Sequence, residues 1–263
     1  MWVGLGILAG CSGSKPQAPV VTPEVASEHV TFGTLEDIGS FVFQSSTSDT
    51  RVSAGRSTVR ESTLSLKWKD RDHWEYEATN DGKPTTHWLI FDAKAFEGLS
   101  GQALIPRGDP EPFRAQLSLG WDSWEDIVAI TDGRIVYGPG SAETVEGRAA
   151  IRHDVSLAPP IKGAKKAPKR ATGEALVPVS LTGTVWIDKD TSVRVLADVT
   201  ATAASPVPPI TAPDGTEAPS ATPPDRTRTL AIKLAVTGLR QDPGVAAPTA
   251  TPKAASATAP AHP

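Results

Sequence analysis

The sequence predicts a mainly β protein of the α+β class, built on an antiparallel sheet with one short helical insertion. Three observations in the 263-residue chain predict this. Apolar residues alternate with polar ones in several runs, which is typical of strands with one buried face. Polar turn sequences join these runs, as in hairpins. Helical periodicity occurs in a single stretch, so the alternation of strands and helices that builds a parallel sheet is missing.

The first half of the chain contains four runs with strand periodicity. Residues 38–47, 57–69, 73–78 and 86–92 alternate between apolar and polar side chains. Asn80-Asp81-Gly82-Lys83 is a strong hairpin-turn sequence between the last two runs. Within each of the first three runs we expect the large side chains to share a face: Phe41 with Phe43, Leu64 with Leu66 and Trp68, and Trp74 with Tyr76.

Helical periodicity appears in residues 111–131. Large apolar side chains recur there at intervals of three and four, which places them on one face of a helix. Gly120 interrupts the stretch, so two short helices are an alternative to one. The side chains on the predicted face are Phe113, Leu117, Trp121, Trp124 and Val128.

Strand patterns return in the second half, at residues 134–138, 143–157, 181–190, 192–203 and 228–239. The third and fourth are separated by a two-residue link at Asp190-Thr191, which predicts a tight hairpin. The last strand carries an apolar face opposite a face of Ala231, Lys233, Ala235 and Thr237. That apolar face consists of Leu230, Ile232, Leu234 and Val236.

Composition divides the chain into one folded domain and several segments expected to be disordered. Stretches rich in Pro, Ala, Thr and Ser lack the bulky apolar residues that offset the entropy of ordering. We expect a flexible tether at residues 11–27 and a folded domain at residues 28–240. Disordered insertions are predicted within that domain at 159–178 and 204–226, and a disordered tail at 241–263.

The single cysteine, Cys11, follows a short apolar run and the residues Leu8, Ala9 and Gly10. This arrangement resembles the lipobox of bacterial lipoproteins, in which the cysteine thiol receives a diacylglyceryl group. The resemblance implies that residues 1–10 are a signal peptide and that acylated Cys11 binds membrane lipid. Residues 1–10 contain no Lys or Arg, which favours a signal whose true start lies upstream.

The chain as a whole resembles the LolA/LolB and LppX-type lipoproteins. The resemblance rests on the Cys11 motif, the strand runs at 38–98, the helical stretch at 111–131 and the string GTVWIDKDT at 183–191. It implies a strongly curved antiparallel half-barrel, with the helical insertion packed against its concave face. It also implies a cavity that holds a lipid or another hydrophobic molecule without covalent attachment.

Large apolar side chains on the predicted strands and helix are candidates for the lining of such a cavity. Ordinary core packing of a sheet against a helix explains the same side chains, because tryptophan buries a large area. Both interpretations stay open from the sequence. The candidate lining residues are Leu64, Leu66, Trp68, Trp88, Trp121, Trp124, Trp186, Leu230, Ile232 and Leu234.

Several other classes of function are disfavoured by the sequence. The five histidines lack metal-ligand spacing, and neither a G-x-S-x-G elbow nor a phosphate-binding glycine loop is present. We therefore expect no catalytic residues, no metal and no cofactor. A net charge of −4 argues against a nucleic-acid partner. The basic run at 162–170 is interpreted as a solvated loop, with contact to an anionic surface as the alternative.

Together these features predict a lipid-anchored protein of the cell envelope whose half-barrel binds or carries a hydrophobic molecule. The alternative is an anchored structural or interaction module with a solid core and no ligand. Ser12 follows the cysteine directly. In some bacteria, an acidic residue at this position accompanies retention at the inner membrane. We therefore expect the outer membrane, facing the periplasm.

Overall fold

The computed structural model describes Glu36 and residues 38–117, 123–160, 176–206, 210–211, 217–218 and 224–248. The predictions for the lipobox at Leu8, Ala9, Gly10 and Cys11 and for the tether therefore lie outside the described residues. The same is true of Trp121, the basic run at 162–170 and the tail from residue 249.

Twelve strands form one antiparallel sheet that does not close into a barrel. The strands are β1 (Phe41–Ser53), β2 (Arg56–Asp70), β3 (His73–Asn80), β4 (Lys83–Phe91), β5 (Lys94–Gly98), β6 (Ile105–Gly108), β7 (Ile135–Tyr137), β8 (Ser141–Val145), β9 (Arg148–Leu157), β10 (Val177–Asp188), β11 (Arg194–Ala204) and β14 (Arg226–Thr237). Along the sheet they follow the order β6-β5-β4-β3-β2-β1-β14-β11-β10-β9-β7, and β8 pairs with β9. The predicted half-barrel class is confirmed.

A separate pair of two-residue strands, β12 (Ile210–Thr211) and β13 (Glu217–Ala218), lies within the segment 204–226 that the sequence predicted as disordered. Two short helices, α1 (Glu111–Leu117) and α2 (Trp124–Ile130), occupy the helical stretch, as the interruption at Gly120 predicted. Within the described residues, no helix is long and apolar enough to cross a membrane.

In the part of the chain that the structure describes, the two helices pack against one face of the sheet, which we call the inner face, and no helix packs against the other, the outer face. Leu117 of α1 and Ile127 of α2 belong to the same buried cluster as the inward side chains of the strands. Arg114 fixes α1 by donating hydrogen bonds to Asp72 and to the carbonyl oxygen of Arg71, in the turn between β2 and β3. The guanidinium of Arg194 lies 3.7 Å from the ring centroid of Trp124 and holds α2 against β11.

The strand register brings the predicted apolar faces of β1, β2 and β14 to the same side of the sheet. Phe43 of β1 stands opposite Leu66 of β2 and Val236 of β14, so their side chains project to the same side of the sheet. All three are buried, with exposures of 4% or less. The period-two pattern therefore predicted the buried face of these strands correctly.

The link between β10 and β11 is longer than predicted. β10 ends at Asp188 and β11 begins at Arg194, so the two-residue hairpin at Asp190-Thr191 was wrong. The reason is local hydrogen bonding by the Asp188 carboxylate. Its Oδ1 accepts the backbone N–H groups of Asp190 (3.1 Å) and Thr191 (2.9 Å) and stabilises a wider turn.

Candidate functional site

The structure places the described candidate lining residues, apart from Trp186, on the inner face. Leu66, Trp68, Trp124, Leu230 and Ile232 are each exposed by 1% or less and belong to one hydrophobic cluster. Leu64 is half-buried against that cluster. Trp88 and Leu234 are buried in it as well. The centre of the inner face is therefore filled by the protein's own side chains.

Trp186 lies on the outer face, contrary to the prediction. Val185 is fully buried on the inner face opposite Ala197, so its neighbour Trp186 projects to the other side. The indole N–H of Trp186 donates a hydrogen bond to Oε2 of Glu143 at 2.7 Å. The Arg152 guanidinium lies 5.8 Å from the centroid of its ring. Trp186 thus belongs to a surface that the sequence analysis did not consider.

The inner face changes from apolar to charged residues along the strands. On β14, the inner positions pass from Leu230 to Arg228 and Arg226, and on β1 they pass from Phe43 to Asp49 and Arg51. Both changes occur at the same end of the sheet, because the register pairs Arg51 with Arg228. We call this end, marked by Arg51, Arg226 and Arg228, the arginine end.

A pocket of about 320 Å³ opens at the arginine end, between α2 and strands β1, β11 and β14. Its apolar walls include Ala129 and Ile130 of α2, Ala203 of β11 and Leu176 before β10. All three arginines line it, together with Asp132 and with Val52, Ser53 and Thr227. The pocket therefore joins an apolar wall to a row of guanidinium groups.

Asp49 organises this row. Its carboxylate accepts hydrogen bonds from Nε of Arg228 at 3.0 Å and from Nε and Nη2 of Arg51 at 3.1 and 2.9 Å. Burial alone would raise the pKa of Asp49, but the two guanidinium groups outweigh burial and lower it below its usual value. Among the described residues here, two carboxylates, Asp49 and Asp132, lie beside the three arginines.

The arginine end was not predicted from the sequence, although a signal for it is present there. Arg226 and Arg228 precede Leu230 at intervals of two and so continue the apolar face of the last strand as a cationic one. The grouping with Arg51 was not visible, because Asp49 and Arg228 are 179 positions apart in the sequence.

A second polar cluster lies on the outer face, where Glu75, Glu77 and His87 offer ligand atoms within 4.8 Å of one another. Glu75 Oε2 lies 2.7 Å from Lys67 Nζ, and Glu75 Oε1 lies 3.0 Å from His87 Nε2. Burial would raise the pKa of Glu75, but Lys67 and then His87 lower it overall. A metal ion would have to compete with Lys67 for this carboxylate, so the cluster is better described as a charge-paired network.

Comparison with known proteins gives similarity of fold. No family model matches the chain, and no curated protein matches it. Similar solved structures include a DUF1329 family protein from Desulfovibrio piger, with 14% identity, a TM-score of 0.22 and coverage of 82% of this chain and 93% of that one. A LolA superfamily protein from Nitrosomonas europaea has 8% identity, a TM-score of 0.21 and coverage of 80% and 95%.

The MucA/MucB complex from Pseudomonas aeruginosa also matches, with 10% identity, a TM-score of 0.26 and coverage of 81% of this chain and 58% of that one. The class that the sequence resemblance named, the LolA superfamily, is thus among the structural neighbours. These TM-scores are low, so the similarity concerns the fold alone.

Proposed function

We propose that the protein is a lipid-anchored envelope lipoprotein that binds an anionic amphiphile at the arginine end of its half-barrel. The observation that carries this proposal is the 320 Å³ pocket, in which apolar walls meet three arginines. Ligand pockets of this size combine a mainly apolar lining with a few polar groups that fix orientation. An amphiphile with one alkyl chain and an acidic head matches this lining, because its chain can contact the apolar walls while its head contacts the arginines.

The head group would contact the guanidinium groups. Arginine suits carboxylate and phosphate because its planar fork donates two parallel hydrogen bonds. Arg226 is exposed at the mouth of the pocket, whereas Arg228 is engaged with Asp49 deeper on the inner face. Arg226 is therefore the proposed primary contact with the head group.

The alkyl chain would lie against Ala203, Ile130 and Leu176. Beyond Arg228, the next inner-face residues of β14 are Leu230 and Ile232, where the predicted lining begins. Those residues are packed in the core, so a chain longer than the pocket requires α2 to shift from the sheet. The structure therefore favours short or partly inserted alkyl chains.

Anchoring through acylated Cys11 is part of the proposal and is supported by the residues Leu8, Ala9, Gly10 and Cys11. Two or three acyl chains make membrane attachment stable, whereas one chain alone is marginal. The absence of an acidic residue at position 12 supports the outer membrane as the location.

The alternative function, an anchored interaction module without ligand, is supported by the filled centre of the inner face. Trp68, Trp74 and Trp124 are exposed by 1% or less, as in an ordinary solid core. In that case the pocket at the arginine end would be an unoccupied surface depression, and partners would contact other surfaces.

The test compares dodecanoate with dodecanol, which has the same chain and no charge, by calorimetric titration of the full chain below the aggregation limit of each compound. We expect dodecanoate to bind more tightly than dodecanol. Arg226→Gln should weaken dodecanoate binding by about tenfold or more, as loss of a charge-assisted hydrogen bond predicts. Dodecanol binding should be unchanged in this variant.

Arg152→Gln is the matched control, because Arg152 lies on the outer face, away from the pocket. The proposed head-group contact would be contradicted if dodecanoate does not bind. It would also be contradicted if dodecanoate binds the Arg226→Gln variant and the unmodified protein equally tightly. Absence of co-purifying lipid across several membrane preparations, analysed by mass spectrometry, would further favour the interaction module.

A further inference from the structure

The outer face carries a groove of about 640 Å³ that crosses the middle of the sheet. The groove exists because the central strands carry short side chains there, such as Ser46 of β1, Thr63 of β2 and Ala235 of β14. Longer side chains on the flanking strands form its two walls. Glu77 stands on one wall and Trp186 on the other.

The floor and walls of this groove are rich in hydrogen-bonding groups. The Gln44 side chain, exposed on β1, offers an amide that both donates and accepts. Ser46 and Thr63, also exposed, offer hydroxyl groups. A ligand that fits this surface must itself carry many donors and acceptors at short intervals.

Two of the three charged side chains that line the groove, Lys233 and Asp198, are paired with each other. Lys233 Nζ lies 3.2 Å from Asp198 Oδ2. On the opposite wall, the Ser100 hydroxyl donates to Glu77 at 2.6 Å, and Nδ1 of His87 is 3.8 Å from the same carboxylate oxygen. A strongly charged ligand would have to break these pairs, and an anionic one would also meet Glu77. The groove is therefore complementary to a neutral polar ligand.

Trp186 adds an aromatic surface to this polar groove. Its indole N–H is held by Glu143 and its ring is flanked by Arg152, so its orientation is fixed from the side away from β11. Leu196 of β11 stands opposite it in the register and lines the groove beside it. An aromatic ring close to the Asp198 carboxylate, in a groove that also carries hydroxyl and amide groups, suits a ring that has apolar C–H faces and a polar edge.

We propose that this groove binds a neutral oligosaccharide of two to three sugar units. One sugar packs its C–H face on Trp186 and bonds through its hydroxyl groups to Asp198, and the far end of the trisaccharide reaches Gln44, three strand spacings or about 14 Å from Trp186. The volume lies within the range of small-ligand sites. The groove lies on the outer face, whereas the pocket at the arginine end opens on the inner face. Binding of a sugar is therefore independent of the proposed amphiphile binding.

The experiment titrates the full chain with cellotriose, maltotriose and tri-N-acetylchitotriose by isothermal calorimetry. We expect at least one trisaccharide to bind with a dissociation constant of about 1 mM or tighter, close to −4 kcal/mol. Trp186→Ala should weaken that binding about tenfold or more, because a central tryptophan commonly dominates a binding surface. Gln44→Ala should weaken it to a smaller extent.

Ser48→Ala is the matched control, since Ser48 lies on the outer side of β1 but outside the groove. It and Arg226→Gln should bind the sugar as the unmodified protein does, and each variant's thermal unfolding midpoint verifies folding. The proposal would be overturned if none of the three sugars binds. It would also be overturned if the folded Trp186→Ala and Gln44→Ala variants bind the sugar as tightly as the unmodified protein does. A groove that binds short peptides and no sugar would overturn it as well.

Discussion

Asp188 is the buried acid on which we expect the stability of the β10–β11 turn to depend. Its side chain is 1% exposed and accepts hydrogen bonds from Nε and Nη2 of Arg148 at 2.7 and 3.0 Å. The backbone N–H and hydroxyl groups of Thr191 also donate to it, each at 2.9 Å. Burial alone would raise the pKa of Asp188, but these bonds lower it from 3.8 to about 2.

The magnitude follows from that shift. At about 1.4 kcal/mol per pKa unit, the folded state gains roughly 2 kcal/mol from ionised Asp188. Because the pKa is lower in the folded than in the unfolded chain, this stabilisation is complete above pH 4. It is lost as the pH falls from about 4 through 2, and only below pH 2 is Asp188 protonated in both states.

Asp188→Asn removes the charge while keeping the shape of the side chain. The free energy of unfolding is measured in urea at pH 7, 5, 4, 3 and 2.5 for this variant and for the unmodified protein. The variant should be less stable by at least about 2 kcal/mol at pH 7 and 5, and the difference should shrink below pH 4. Asp190→Asn is the control, because Asp190 is 74% exposed and 3.6 Å from the same arginine. A difference independent of pH, or an equal loss in Asp190→Asn, would refute the reasoning.

Two further substitutions test the sheet and its contact with α2. Gly183→Ala should lower the free energy of unfolding by about 3 kcal/mol or more, because its φ is +140° and a Cβ would lie 2.2 Å from the Asp198 carbonyl oxygen. Gly147→Ala, at φ +77° in open space, should cost only about 1 kcal/mol, and equal losses in urea unfolding would contradict the steric argument. Arg194→Met should cost about 2 kcal/mol through loss of the contact with Trp124, measured in the same way, and an unchanged midpoint would contradict that contribution.

The sequence predicted those parts of the fold whose information is local. The turn at Asn80-Asp81-Gly82-Lys83 lies where expected, with β3 ending at Asn80 and β4 beginning at Lys83. The apolar face of β14 was also predicted, because polar and apolar side chains alternate cleanly there. Trp186 was misplaced because Val185, Trp186 and Ile187 are all apolar, so period two gives no preferred face.

The candidate sites could not be predicted, because they depend on contacts between distant segments. The pocket at the arginine end joins Ile130 of α2 to Ala203 of β11 and Arg226 of β14. Its existence depends on the position at which α2 crosses the sheet, and no local pattern encodes that position. The outer-face groove similarly depends on which short side chains the register aligns across neighbouring strands.

The position of the arginine end constrains how an anchored protein would use it. β1 begins at Phe41, on the side of Cys11 in the sequence, and runs for 13 residues, or about 40 Å, to Ser53 at the arginine end. The pocket therefore opens at the end of the sheet opposite the one that the N-terminal segment joins.

Residues 11–40 span at most about 100 Å when extended, so their length permits either end of the sheet to approach the anchoring membrane. The guanidinium groups that line the pocket favour the orientation with the arginine end at the membrane, because arginine is attracted to anionic head groups within a Debye length of about 8 Å. An amphiphile of the anchoring membrane thus reaches the pocket only when the domain has turned over on its tether in this way.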